Sequence, residues 1–284
     1  ARTDAPTGCA AVVVDASGEN QICVGSGANL SVRASQLMAP ASVGSGGARP
    51  GMLTAGDILL QQMEIPHAEV WAAVALARGA GAHSVLNVAP AAPVPDAVLC
   101  DLDFLIVNEH EALEVYAGCG LGGTGSGDLV VGALAAAIAI AAKHHVAVIV
   151  TLGARGAAAC LPRRPSGCDV QRTDGGCDVM SVSAAPLTAG EKILDTVGAG
   201  DAFVGAFCAA LASGSPLHVC MQRASTAGTV ACTAVGAQAG VPSQVVLDQR
   251  VIDRPPEVVI DWGIGSEPAL AHREAPGLAW GREK

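Results

Sequence analysis

The sequence predicts an α/β sandwich of the doubly wound kind, a parallel sheet with helices on both faces. Three observations lead there. The short apolar runs are hydrophobic throughout instead of alternating, as in strands buried on both faces. Helix-length stretches follow most of those runs, and such alternation builds parallel sheets. Hydrophobic residues reach 51% while aromatics are only 2% and glycines number 35, so Ala, Val, Leu and Ile must fill closely packed layers.

The elements follow in order. CAAVVVD (9–15) and QICVG (21–25) flank the turn-rich DASGEN and predict a hairpin. Further strands are expected at residues 57–62, 83–88, 104–108, 146–153, 157–161 and 179–184. Helical patterns cover residues 67–81, 108–118, 127–145, 200–214 and 216–236. Residues 38–52, rich in Gly, Pro and Ser, read as a loop, and the aperiodic tail after residue 255 as a loosely attached extension. No internal repeat is present.

Composition excludes several partners. A net charge of −10 argues against nucleic acid and anionic membranes, though not against a nucleotide in a local pocket. The longest apolar run, residues 129–142, is too short to cross a bilayer. The start carries neither a basic segment nor a signal-type apolar stretch, so a cytoplasmic protein is expected. Ten cysteines stand singly without any C-x-x-C, which predicts buried reduced thiols over zinc or disulfides.

Five stretches could carry chemistry. GLGGTG (120–125) matches a dinucleotide fingerprint in letters only. A helix precedes it where a strand is required, so it reads as a helix–helix linker with Ser126 or Asp128 near the cap. His144 and His145 end an apolar helix, where positive residues complement the dipole. No carboxylate or cysteine cluster lies near them in sequence, so a metal is not expected there. TLGARG (151–156) follows the most hydrophobic strand and serves either as a strand–turn–strand or as a nucleotide rest. NEHE (108–111) suits a capping box between Asn108 and Glu111, or a phosphate contact and a magnesium ligand.

DTVGAGDAFVGAF (195–207) differs from these. Gly198, Ala199 and Gly200 carry no bulk, and a helix opens at Asp201, so its amides can hold an anion at the positive end of the dipole. A bare cap needs no three small residues in a row. An anion-binding turn with a carboxylate beside it is what phosphoryl transfer to an alcohol requires.

Together these residues resemble the ribokinase-like (PfkB) family of carbohydrate kinases. The signature D-T-x-G-A-G-D-x-F is matched in full over residues 195–203, joined in order by NEHE, TLGARG and GAQAGVP (236–242). TGCAAVVVDASGEN (7–20), GAN (27–29), MEIP (63–66) and LNVAPA (86–91) add to it. The resemblance implies a three-layer α/β/α kinase domain over residues 1–255 with a mostly parallel central sheet. A partial small β-lid lies within about residues 7–25, and residues 256–284 form an extension. It also implies an ATP-dependent sugar kinase, D-ribose being the expected substrate. Fructose, 2-keto-3-deoxygluconate or adenosine, or an inactive nucleotide-binding module, are the alternatives.

By the same resemblance Asp201 is the general base and sugar contact, with Gly198, Ala199 and Gly200 as the anion hole. Asn108, Thr151, Leu152, Gly153, Ala154, Arg155, Gly156, Gly200 and Ser225 line the ATP site, Ser225 standing where the family often places His or Asn. Glu64 contacts sugar hydroxyls, and Glu111 acts on Mg2+ through water. Asp195, Val197, Ala231, Ala234, Gly236 and Gly240 form a K+ loop, Gly240 replacing a Ser. The family's dimers pair through the lid. A sugar-holding Asp and a G-G-K-G-x-N segment that the family carries earlier are not found in this chain, so weak or absent sugar phosphorylation is expected of it.

Overall fold

A computed structural model describes residues 4–14, 20–37, 53–124, 126–163 and 176–261. The loop expected at 38–52 and the tail beyond residue 261 lie outside the described residues. The first two strands, β1 (Cys9–Val14) and β2 (Asn20–Gly25), pair antiparallel as the predicted hairpin and form a sheet of their own. Two 3-10 turns, Gly27–Ser31 and Ala34–Leu37, lead away from it. The second is tied to the first main helix, since the Glu69 carboxylate accepts from the Ala34 amide at 2.8 Å.

The main sheet holds β3 (Ile58–Gln61), β4 (His83–Asn87), β5 (Phe104–Asn108), β6 (Ala147–Thr151), β7 (Ala157–Pro162), β8 (Cys177–Val182) and β9 (Val258–Asp261), neighbours in that order. The pairs from β3 to β6 are parallel and those from β6 to β9 antiparallel. Five of the seven strands therefore point the same way.

Alternation along the strands builds two cores. Leu105 and Val107 of β5 face α1 (His67–Ala80), α3 (Glu109–Gly118) and α4 (Leu129–His144), while Phe104 and Ile106 face α5 (Ala199–Ala212) and α6 (Leu217–Ala231). The sheet is thus covered on both faces, and the three-layer sandwich is present. Its path is not doubly wound, however, because the strand order never reverses among the described residues. Each crossover from β3 to β6 advances one place in one direction, keeping α1, α3 and α4 on one face. The other face is filled by α5 and α6 after β8.

Three short elements were not expected from the sequence: α2 (Asp96–Leu99), α7 (Gln244–Asp253) and β9. The last corrects the boundary at residue 255. Four residues placed past it join the sheet edge, Val258 pairing with Val182 and Ile260 with Met180. A four-residue strand carries too little periodicity to stand out, and its partner supplies the order. Cysteine burial also needs correction. Cys119, Cys160, Cys177, Cys208 and Cys220 are buried, but Cys9, Cys23 and Cys100 are exposed, and all are free thiols. No helix among the described residues is long and apolar enough to cross a membrane.

Candidate active site

The site is assembled at the N-terminus of α5. Gly198 stands just before the helix with φ of 80°, in the left-handed region. A Cβ there would lie 2.9 Å from the Ala237 carbonyl oxygen, so both conformation and space demand glycine. The turn lets the chain enter the helix with no side chain capping it. The first amides of a helix have no intrahelical acceptor and carry the positive end of the dipole. Asp201 sits in that first turn with its side chain exposed. Phe203 and Val204 behind it are buried against the sheet, and Ala202 packs on Ala227 and Ala231 of α6.

Asp195 clasps the turn from below. Its Oδ1 accepts from the Val197 amide at 2.9 Å and its Oδ2 from the Gly236 amide at 2.8 Å. The Leu194 amide donates to the Cys232 carbonyl at 2.8 Å, so the two loops run side by side. Those amide bonds hold the Asp195 carboxyl below its ordinary 3.8. A depressed folded-state pKa gives stability that is present above the ordinary value and is lost as pH falls through the lowered one. Asp195→Asn is accordingly expected to lower the urea midpoint at pH 7, and the gap from the parent chain to narrow at about pH 3. Urea unfolding at the two pH values measures this, and a gap that widened in acid would contradict the clasp.

Val197 and Gly236, two of the expected potassium residues, bind Asp195 in this clasp, and two more pack on each other nearby in the chain. Ala231 ends α6, and Gly240 packs so closely on its carbonyl that a Cβ would run into that oxygen. A serine could not stand at Gly240 without moving the loop. The donors on offer are hard oxygens, namely carbonyls at a helix C-terminus and a carboxylate with lone pairs beyond the two in use. That chemistry fits an alkali cation.

The second half of the site lies at the carboxyl ends of β5 and β6. Asn108 and Thr151 are register partners, the last residues of their strands. Asn108 caps α3: its Oδ1 accepts from the Glu111 amide at 2.8 Å, and Glu111 Oε2 accepts from the Asn108 amide at 2.7 Å. Both arms of the capping box are thus made. Glu111 is buried, and burial raises its carboxyl above the ordinary range. Only one of its oxygens is held by the box, and a cation nearby would favour the ionised form, so a magnesium–water contact fits the residue. Residues 151–156 form a strand–turn–strand closed by the Leu152 amide on the Gly156 carbonyl at 2.8 Å. Its 3-10 turn, Gly153–Arg155, is solvent-exposed.

Not every expected residue is presented to a ligand. Ser225 is buried on α6 and donates to the Ser183 carbonyl at 2.6 Å, so its proton is committed within the protein. Glu64 is exposed just past β3, with its amide on Gln62 Oε1 at 2.7 Å. A cavity of about 590 Å³ starts at Asp201 and runs down α5 between α6 and α7, past Gly205, Ala209, Arg223 and Val241. Neither Asn108, Thr151 nor Ser225 lines it. Sequence reasoning missed two supports. Ser183 joins Ser225 to the Glu257 amide, and Ala237 faces Gly198. Neither stands in a recognisable motif.

The class of protein follows from fold and site together: a ribokinase-like α/β sandwich with an uncapped helix N-terminus that bears a carboxylate in its first turn. The chain belongs to the pfkB family of carbohydrate kinases, whose family model matches residues 1–244. It is 28% identical over 242 residues to the ribokinase of Schizosaccharomyces pombe, covering 85% of this chain and 67% of that protein. It is 30% identical over 247 residues to the ribokinase of Mus musculus, covering 84% of this chain and 65% of that one. The chain thus spans about two thirds of the length of these relatives. The ribokinase of Cryptococcus neoformans var. grubii serotype A in complex with ADP shares the fold at a TM-score of 0.63 and 27% identity. That match covers 88% of this chain and 73% of the other.

Proposed function

We propose that this site transfers the terminal phosphoryl group of ATP to the primary hydroxyl of D-ribose, yielding D-ribose 5-phosphate and ADP. One observation carries the proposal: the uncapped first turn of α5, entered through Gly198 and bearing the exposed carboxylate of Asp201. Asp201 takes the proton of the attacking hydroxyl. The amides that follow Gly198 stabilise charge on the phosphoryl group as it moves in line, without reorganising at the moment of transfer. Asn108 and residues 151–156 hold the nucleotide at the strand ends, and Glu64 meets the sugar. Ser225 is assigned a structural part only, since its hydroxyl is committed to Ser183. Glu111 would hold magnesium through water, and Asp195, Val197, Ala231, Ala234, Gly236 and Gly240 would surround potassium. Bound there, the two cations would neutralise phosphate charge and steady the loop behind the anion hole.

Support for ribose comes from relatives named ribokinase at 28–30% identity. The test is a coupled ADP-release assay on the chain with D-ribose, fructose or adenosine, each in potassium and in sodium. Ribose is expected to give the fastest release, with potassium raising it. Faster release with fructose or adenosine overturns the substrate. ATP binding without release on any acceptor overturns the kinase function in favour of a nucleotide-binding module.

A further inference from the structure

A second cluster of chemistry-bearing side chains lies about 15 Å along α3 from Asn108, taking the rise of a ten-residue helix. There the C-cap of α3, Cys119, meets the last turn of α4 at His144 and the first residue of α2, Asp96. One ligand atom from each lies within 4.8 Å of the other two. His144 is the observation that needs explaining. Its side chain is only 2% exposed, and its Nε2 finds no hydrogen-bond partner among the described residues. A buried polar nitrogen left unpaired costs free energy, and native proteins rarely leave one without a reason.

That nitrogen faces the Asp96 carboxylate. Nε2 stands 3.7 Å from Asp96 Oδ1, too long for a hydrogen bond. It is close to the span of about 3.4 Å between two tetrahedral ligands of one zinc ion. The rest of the cluster is arranged around this gap. Lys143 Nζ binds the other oxygen of Asp96, Oδ2, at 2.9 Å, and the Cys119 thiol is hydrogen-bonded to the same carboxylate. The same ammonium donates to the Cys119 carbonyl at 3.0 Å, as expected where two helix C-termini present their negative ends. His144 Nδ1 lies 3.7 Å from the Cys100 sulfur, on the far side of the ring, so Nδ1 and Nε2 face different partners.

We propose that Asp96 Oδ1, Cys119 Sγ and His144 Nε2 form a zinc-type site that pins α2, α3 and α4 together. Thiolate, imidazole and carboxylate together select a borderline transition metal over magnesium or calcium, whose ligands are oxygen. Three protein ligands leave a fourth position for water. Ligation displaces the Cys119 thiol proton to solvent, so binding weakens in acid.

The test uses the whole chain, stripped with a chelator, dialysed and titrated with Co2+ and then Zn2+. One equivalent of Co2+ is expected to give tetrahedral ligand-field bands with a thiolate-to-cobalt charge-transfer band, both bleached by one equivalent of Zn2+. Cys119→Ser should lose the charge-transfer band, while Cys100→Ser should keep it. Asp96 is exposed, so Asp96→Asn tests the site without disturbing the core, and zinc affinity should fall at least about 10-fold. Absence of one-equivalent binding overturns the proposal. So does a charge-transfer band that survives in Cys119→Ser, or zinc affinity unchanged in Asp96→Asn.

Discussion

Asp201→Asn is expected to lower turnover by about 10²–10⁴-fold, the range that general-base catalysis contributes. Asn keeps the shape of Asp but cannot accept the hydroxyl proton. ATP binding should be nearly unaffected. The amides of the α5 N-terminus are retained, and removing a negative charge beside a phosphate site does not weaken an anion's hold. The helix itself loses about 0.3–1 kcal/mol of dipole interaction, too little to unfold a domain of this size. ADP release under saturating substrate gives the turnover, and calorimetry of nucleotide binding to the variant gives the affinity. Turnover retained within a few-fold would remove Asp201 from the base role. Turnover and ATP binding lost together would instead point to collapse of the turn.

The second large effect is on stability. Phe207→Ala is expected to cost about 3–5 kcal/mol, as for other large-to-small aromatic truncations in cores. Phe207 is fully buried on α5 and meets Phe104 of β5 edge-to-face, with ring centroids 5.2 Å apart and planes at 72°. The third phenylalanine of the protein, Phe203, lies one turn earlier on α5 in the same core. Because α5 carries the candidate active site at its N-terminus, the loss is expected to loosen the anion hole as well as the core. Urea unfolding followed by circular dichroism measures the cost. A shift below about 1 kcal/mol would mean that the pair contributes little beyond its shape.

Much of the fold is legible because its signals are local. The β1–β2 pairing, the apolar runs of β4 to β6 and the Asn108–Glu111 box each arise within a few residues, and all appear as expected. The linker at residues 120–125 likewise leads to Asp128, whose Oδ1 caps α4 through the Val131 amide at 2.9 Å. Strand order was not legible in the same way. Periodicity identifies strands without saying which way each crossover turns, so a doubly wound path and the observed sequential one look alike in sequence.

By itself the sequence located the turn at residues 195–203 and the helix it opens, since glycine, alanine and aspartate at that spacing dictate backbone and charge locally. Tertiary structure alone decided what stands around it. Asp195 meets Gly236 across 41 residues, and Ser225 meets Ser183 across 42, where its hydroxyl donates to a backbone carbonyl. His144 shows the same division most sharply. In sequence it is a helix-end histidine with no ligand nearby, and the dipole explains it. In the fold, two helix C-termini and a short helix converge, bringing Asp96 and Cys119 beside its buried ring. Packing sets those distances, and packing joins residues that the order of the chain keeps apart.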